Sequence, residues 1–220
     1  MTDNLRDVFD RIAPSWYNFR HHTIFRRELE ALAAEWGSGK LLNIGCGHGA
    51  DFLPFAGKSE LHGIDFSGEM LKLAVRYAEK YGFQVDLVQA DATALPYADA
   101  AFDRAIAVAT YHHLKPGQRL PALRELKRVL KPGGLAYITV WNRWQPRFWF
   151  GRSEIMVPWR TRETTLYRYY HLFARGELVR LAKQAGFGVL RASPEKGYRL
   201  PAPWFSRNIC LVVRKGQIDS

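Results

Sequence analysis

In this 220-residue chain, the segment Asn43-Ile-Gly-Cys-Gly-His-Gly-Ala50 combines residue types and spacing suited to holding a nucleotide. Glycines at 45, 47 and 49 let the backbone turn sharply and let a ligand approach without a Cβ in the way. Asp65 follows Gly45 by 20 positions, where a carboxylate can accept both hydroxyls of a ribose. Gly45, Gly47 and Ala50 also satisfy the G-x-G-x-x-G/A fingerprint, so these residues alone fit a nicotinamide dinucleotide as well as other adenosine cofactors.

Such a turn needs a strand before it and a helix after it, and the chain supplies both. Lys40 to Ile44 reads as the first strand and Ala50 to Ala56 as a helix. Glu60 to Ile64, ending at Asp65, is the second strand, and Gly68 to Tyr81 is an amphipathic helix with Met70, Leu71, Ala74 and Ala78 inward. Strands follow at Val85 to Gln89 and Phe102 to Ala109, the latter apolar enough to be covered on both faces. A helix over Arg119 to Leu130 stops at the breaker Lys131-Pro-Gly-Gly134, and Leu135 to Trp141 is the fifth strand. After an interruption through about Arg175 come a helix to Ala185 and two closing strands, Phe187 to Arg191 and Asn208 to Arg214, with Pro201 to Pro203 in the loop of an edge hairpin. The expected fold is α/β: a doubly wound, mostly parallel seven-stranded sheet in one domain. Residues 1–38 form a helical cap broken at Pro14, 39–141 the cofactor-binding core, 142–175 an insertion after strand 5, and 176–220 the closing helix and strands.

Composition narrows the classes. A hydrophobic share of 47% is ordinary for a globular domain. The N-terminus has acidic residues and no long apolar run, unlike a secretory signal, and no 18 consecutive apolar residues occur to span a membrane, so the chain reads as cytoplasmic. Two cysteines, Cys46 and Cys210, lack metal-ligand spacing, so neither a disulfide framework nor a metal site is expected. The formal charge of +11 favours polyanionic partners, or else is a solubility charge spread over the surface.

Four blocks in order and spacing make the chain resemble the class I S-adenosylmethionine methyltransferases: LLNIGCGHG (Leu41 to Gly49), GIDFS (Gly63 to Ser67), QADATALPYADAAFD (Gln89 to Asp103) and LKRVLKPGG (Leu126 to Gly134). The resemblance implies S-adenosylmethionine as cofactor on a Rossmann-like sheet. By position, Gly45, Gly47 and Gly49 would pass its methionine portion, Asp65 its ribose, Asp91 and Ala92 its adenine, and Ala107 its sulfonium. Cys46, Phe66 and Ser67 belong to the same cofactor-binding set. Asn43 stands where the family usually has an acid. It lacks the charge to balance the cofactor's ammonium, which implies somewhat weaker binding; alternatively it is a strand-end residue with a local backbone bond.

Further blocks are similar to a narrower family, the tRNA wobble-uridine methyltransferases that esterify a carboxymethyl group: VFDRIAPSWYNFR (Val8 to Arg20), AVATYHHL (Ala107 to Leu114), ITVWNRWQ (Ile138 to Gln145), LYRYYHLFARGEL (Leu166 to Leu178) and NICLVVRK (Asn208 to Lys215). A carboxylate, with a pKa of about 4, needs no strong base to accept a methyl group. It needs a grip, for which Arg20, His112 and His113 are the candidates, Arg20 because a planar guanidinium fits a carboxylate bidentately. Adjacent residues of an extended segment face opposite ways, so only one of the two histidines is expected to reach the substrate.

The insertion interleaves Trp144, Phe148, Trp149, Phe150, Trp159, Tyr167, Tyr169 and Tyr170 with Arg143, Arg147, Arg152, Arg160, Arg162 and Arg168. This suits a flipped nucleotide and its phosphates, or a lid over the cofactor whose arginines face water. Trp141, Arg143, Tyr167, Tyr170 and His171 are the expected substrate-binding residues. The implied partners are tRNA and a small zinc-binding activator that adds a strand to the sheet edge. A methyltransferase of a quinone precursor or organic acid, or a binding protein that has lost catalysis, are the competing readings.

Overall fold

The computed structural model describes residues 4–149, 151–161, 164–195, 197 and 205–216. Phe150, Arg162 and the Pro201 to Pro203 stretch lie outside the described residues. Five strands run parallel in the core: β1 (Lys40–Ile44), β2 (Glu60–Asp65), β3 (Asp86–Gln89), β4 (Phe102–Val108) and β5 (Leu130–Trp141). The hairpin β6 (Glu154–Arg160) and β7 (Thr165–His171) stands apart, and β8 (Phe187–Pro194) and β9 (Asn208–Lys215) complete the main sheet. Its order is β3-β2-β1-β4-β5-β9-β8, with β9 antiparallel to both neighbours. The seven-stranded, mostly parallel expectation therefore holds. Because the order reverses between β1 and β4, their carboxyl ends open a crevice, where ligands bind in such sheets.

Alternation along the strands builds the two layers. Leu42, Ile44, Ala105, Ala107, Ala136 and Ile138 face one core with α4 (Pro116–Val129) and α5 (Arg175–Gln184). Leu41, Ile106 and Tyr137 face the other, under α2 (Arg26–Trp36), whose Leu29, Leu32 and Trp36 cover them. Each such buried leucine contributes roughly 1.5–3 kcal/mol of transfer free energy. Among the described residues no helix is long and apolar enough to cross a membrane.

Several boundaries move. α1 (Leu5–Phe19) runs through Pro14 unbroken. Proline removes one intrahelical bond, while the Val8, Phe9, Ile12 and Ala13 face packs on Met70 and Leu73 of α3 (Gly68–Tyr81), and that packing holds the helix together. The expected helix after the glycine turn is a 3-10 turn, Ala50–Phe55, containing Pro54. Lys131-Pro-Gly-Gly134 lies inside β5 as an irregularity against β4 rather than as a break before it. A Cβ on Gly134 would stand 2.8 Å from the Lys131 carbonyl oxygen, so the kink needs glycine there.

Candidate functional site

The glycine turn is fixed from both sides. The amides of Gly45 and Cys46 donate to the Ile64 carbonyl at 2.8 and 2.9 Å, tying the turn to β2. Thr110, just past β4, donates its hydroxyl to the Ile44 carbonyl at 2.9 Å and so closes the base of the crevice. A Cβ on Gly45 would run into the Thr110 side chain, and the φ of +70° there also favours glycine. Ala109 adopts a φ of 56°, an unusual value for alanine, and its amide is held by the Thr139 hydroxyl at 2.9 Å.

Asp65 organises the floor. One carboxylate oxygen accepts the Gly47 amide at 2.8 Å and the other the Ser67 amide at 2.9 Å. Burial pushes its pKa up to about 6, against the lowering effect of those amides. The Ser67 hydroxyl donates to Asp10 of α1 at 2.6 Å and accepts the Met70 amide, so α1 is fastened across the crevice. Asp10 was not singled out from sequence; its place in the VFDRIAP block was the available signal.

The crevice is a cavity of about 780 Å³. It brings together Arg20, Gly45, Cys46, Gly47, Asp65, Phe66, Asp91, Ala92, His112, His113, Trp141, Tyr167 and Tyr170 from the expected set. Six others stand back from it. Ala107 points into the core under α4, and the chain reaches the cavity one residue later, at Val108. Asn43 is fully buried and neither of its amide atoms has a hydrogen-bond partner, so the expected local backbone bond is absent. Gly49 packs on Ala74, and Ser67 is occupied as the cap of α3. Arg143 lies over the Trp144 ring at 5.6 Å, and His171 bonds Glu177 at 2.8 Å on the far side of β7.

His112 and His113 sit in a 3-10 turn, Tyr111–His113, not in an extended segment, so both rings line the cavity, 4.5 Å apart. The Trp141 amide donates to His112 Nδ1 at 3.2 Å, which puts the proton of the neutral ring on Nε2. His113 Nδ1 meets the Tyr169 carbonyl at 2.9 Å and must donate, leaving Nε2 as acceptor. Burial holds both rings neutral, His113 down at about 3 and His112 well below the ordinary value, where burial acts with its histidine and arginine neighbours.

The hairpin β6–β7 forms one wall, with Trp159, Arg168 and Tyr170 facing the cavity. Trp159 donates to Ser15 of α1 at 2.9 Å. Arg119 of α4 anchors the hairpin base: it donates to the Leu114 carbonyl at 3.0 Å, Tyr169 hydroxyl at 2.9 Å and Glu154 at 3.2 Å. Arg119→Ala is expected to cost about 2–3 kcal/mol, because it leaves the Leu114 carbonyl, the Tyr169 hydroxyl and Glu154 without their donor. Urea unfolding checks this, and a loss under about 0.5 kcal/mol, the size of an exposed pair, would refute the anchoring role.

The cavity fits a nucleoside cofactor. Gly47 leaves open space where a Cβ would stand, and each Asp65 oxygen engages one amide and retains a further acceptor site. A family description, "Methyltransferase domain", matches residues 41–134. The Thermus thermophilus demethylmenaquinone methyltransferase is 31% identical over 89% of this chain and 86% of its own length. The Arabidopsis thaliana tRNA (carboxymethyluridine(34)-5-O)-methyltransferase is 34% identical over 61% of this chain, but the match spans only 31% of that longer protein. Among solved structures, one described as a complex between the Haloferax volcanii Trm112 methyltransferase activator and a methyltransferase superposes with a TM-score of 0.72 at 18% identity, covering 99% of this chain and 100% of the other. Fold and site together define a class I S-adenosylmethionine-dependent methyltransferase. The chain belongs to that family of enzymes, and S-adenosylmethionine is its cofactor.

Proposed function

We propose that this enzyme methylates the carboxylate of a carboxymethyl group on a tRNA wobble uridine. The carrying observation is the protonation of the acceptor end. Both histidines there are buried and neutral, and a base held at about 3 is too weak to take a proton from a hydroxyl nucleophile at neutral pH. The nucleophile must therefore be one that needs no such base, and a carboxylate, already ionised at neutral pH, is one. Arg20 at the end of α1 lines the same region with its Nε unpaired, and the Arabidopsis relative carries this substrate in its name.

In this reading Asp65 holds the cofactor's ribose, the Gly45 to Gly49 turn its methionine end, and Asp91 and Ala92 its adenine. When bound, the cofactor supplies an electrophilic methyl group. Arg20 orients the acceptor oxygen, the Nε2–H of His112 is a donor to it, and Trp141, Tyr167 and Tyr170 offer faces to the base. Exposed Trp144 and Trp149 beside Arg143 and Arg147 extend the stacking and phosphate-binding surface. The reading includes a small zinc-binding activator, for which β3 is an edge strand with Val88 exposed.

Incubated with labelled S-adenosylmethionine and tRNA lacking the ester, the enzyme should give RNA whose label is released by mild alkali. Label that survives alkali would overturn esterification. The Thermus relative favours a second reading, methylation of a quinone precursor in the aromatic-walled cavity. Salt separates the two, because RNA binding should weaken steeply between 50 and 200 mM salt, on the order of 10³-fold or more for several phosphate contacts.

A further inference from the structure

Sequence composition placed Arg168 with the arginines of the insertion. The structure puts it elsewhere. Arg168 is only 5% exposed, lines the cavity, and has its Nε without a partner. One terminal nitrogen donates to the Tyr170 hydroxyl at 3.0 Å. Its guanidinium carbon lies 5.0 Å from the Trp159 ring centre and 5.5 Å from that of Trp16. Arg20 approaches the same Trp16 ring at 5.9 Å. Neither arginine has an ion-pair partner among the described residues. Burial lowers the Arg168 pKa, and the Arg20 cation adds to it against the opposing effect of Tyr170.

Two guanidiniums beside one indole on the cavity wall, the Arg168 one buried and neither with an acid partner among the described residues, are an unfavourable arrangement unless an anion joins them. We propose that Arg20 and Arg168 form a carboxylate site that binds the acceptor as an anion and loses its hold once the acceptor is esterified, making Arg168 a specificity-determining residue. This rests on the proposed esterification. A carboxylate oxygen uses a lone pair to form the new bond to the methyl carbon, whose bond to sulfur breaks with its electrons left on sulfur. No proton moves. The acceptor's negative charge and the donor's positive charge disappear together, so the ester faces two cations it can no longer neutralise and is released. A carboxylate is preferred to a phosphodiester because the site adjoins Tyr170, whose ring stacks on His112 at 4.6 Å at the reacting end of the cavity.

The test is binding, with turnover as a second arm. The whole chain, saturated with S-adenosylhomocysteine, is titrated with phenylacetate, phenylacetamide and inorganic phosphate at constant ionic strength, following the fluorescence of the indoles. Phenylacetate should saturate at a concentration at least about 10-fold below phenylacetamide. Arg168→Gln should weaken phenylacetate about 10- to 100-fold, the loss of one or two charge-assisted hydrogen bonds, with partial rescue by Arg168→Lys. Equal binding of acid and amide, or tighter binding of phosphate than of phenylacetate, overturns the assignment. So does an unchanged affinity in Arg168→Gln. Should that variant lose cofactor binding, Arg20→Gln, at a helix end, replaces it with the same expected loss. If the acid is preferred but no tRNA is esterified, the tRNA reading falls and the anion site stands. If Arg168→Gln esterifies tRNA like the parent, the site falls and the tRNA reading stands.

Discussion

Asp65→Ala is expected to lower affinity for S-adenosylmethionine by about 100-fold or more, the equivalent of two charge-assisted hydrogen bonds. The carboxylate has two tasks. It lines the cavity, where the proposed function gives it the cofactor's ribose, and it holds the Gly47 and Ser67 amides at 2.8 and 2.9 Å. Its loss frees the glycine turn from the end of β2 as well as removing the acceptor. Asp65→Asn should fare little better, since its NH₂ would have to face one of two backbone N–H donors. Stability should change less than affinity: burial holds the parent carboxyl at about 6, so the ionised form strains the fold at neutral pH, and removing it partly offsets the lost amide bonds. The same position gives the pH sign. Below about pH 6 the free enzyme protonates Asp65 and cofactor affinity should fall. Calorimetric titration checks both, and an alanine variant within threefold of the parent would show that the ribose is held elsewhere.

The cofactor end of the site was legible because its chemistry is local. A strand, a glycine turn and an acid at the next strand's end are each written in a few consecutive residues, and β1, β4 and β5 carry apolar runs. What escaped depends on contacts made across the chain. The hairpin β6–β7 shows no readable period because its inward positions alternate Leu166, Arg168 and Tyr170, a charged residue among apolar ones, and it packs on α1 rather than on the main sheet. Arg168 reads as a solvated arginine until Trp16, over 150 positions away, is brought beside it. His112 and His113 were expected to diverge, as neighbours in a strand do; a 3-10 turn instead sets their rings together. Pro14 and the Pro-Gly-Gly of β5 were over-read as breaks, because packing across α1 and a bulge against β4 absorb the missing or misaligned backbone bonds.

Acid should unfold the cofactor-free protein well before its carboxylates alone would predict. His48, His112 and His113 are buried and neutral, with burial holding His48 at about 4 and His113 at about 3 and placing His112 well below the ordinary value. A folded pKa below the unfolded 6.5 means that the unfolded chain takes up these protons first, so stability present near neutrality is lost as pH falls below about 6.5. By pH 4 His48 and His113 each cost on the order of 3 kcal/mol, and His112 acts in the same direction. Asp51 and Asp65 act in the opposite sense: raised to about 6, mainly by burial, they favour the folded form by about 2 kcal/mol each over the same range. Three protons against two leave a net loss on acidification, drawn from the small margin by which a typical domain is stable. Urea unfolding at intervals from pH 7.5 to 4.5 should show the midpoint falling, with a slope near one proton between pH 6 and 4.5. His113→Asn should flatten that slope by about one proton. A midpoint that stays level or rises on acidification would mean the histidines are not held neutral, so that they could serve as bases and a hydroxyl acceptor would fit the site as well as a carboxylate.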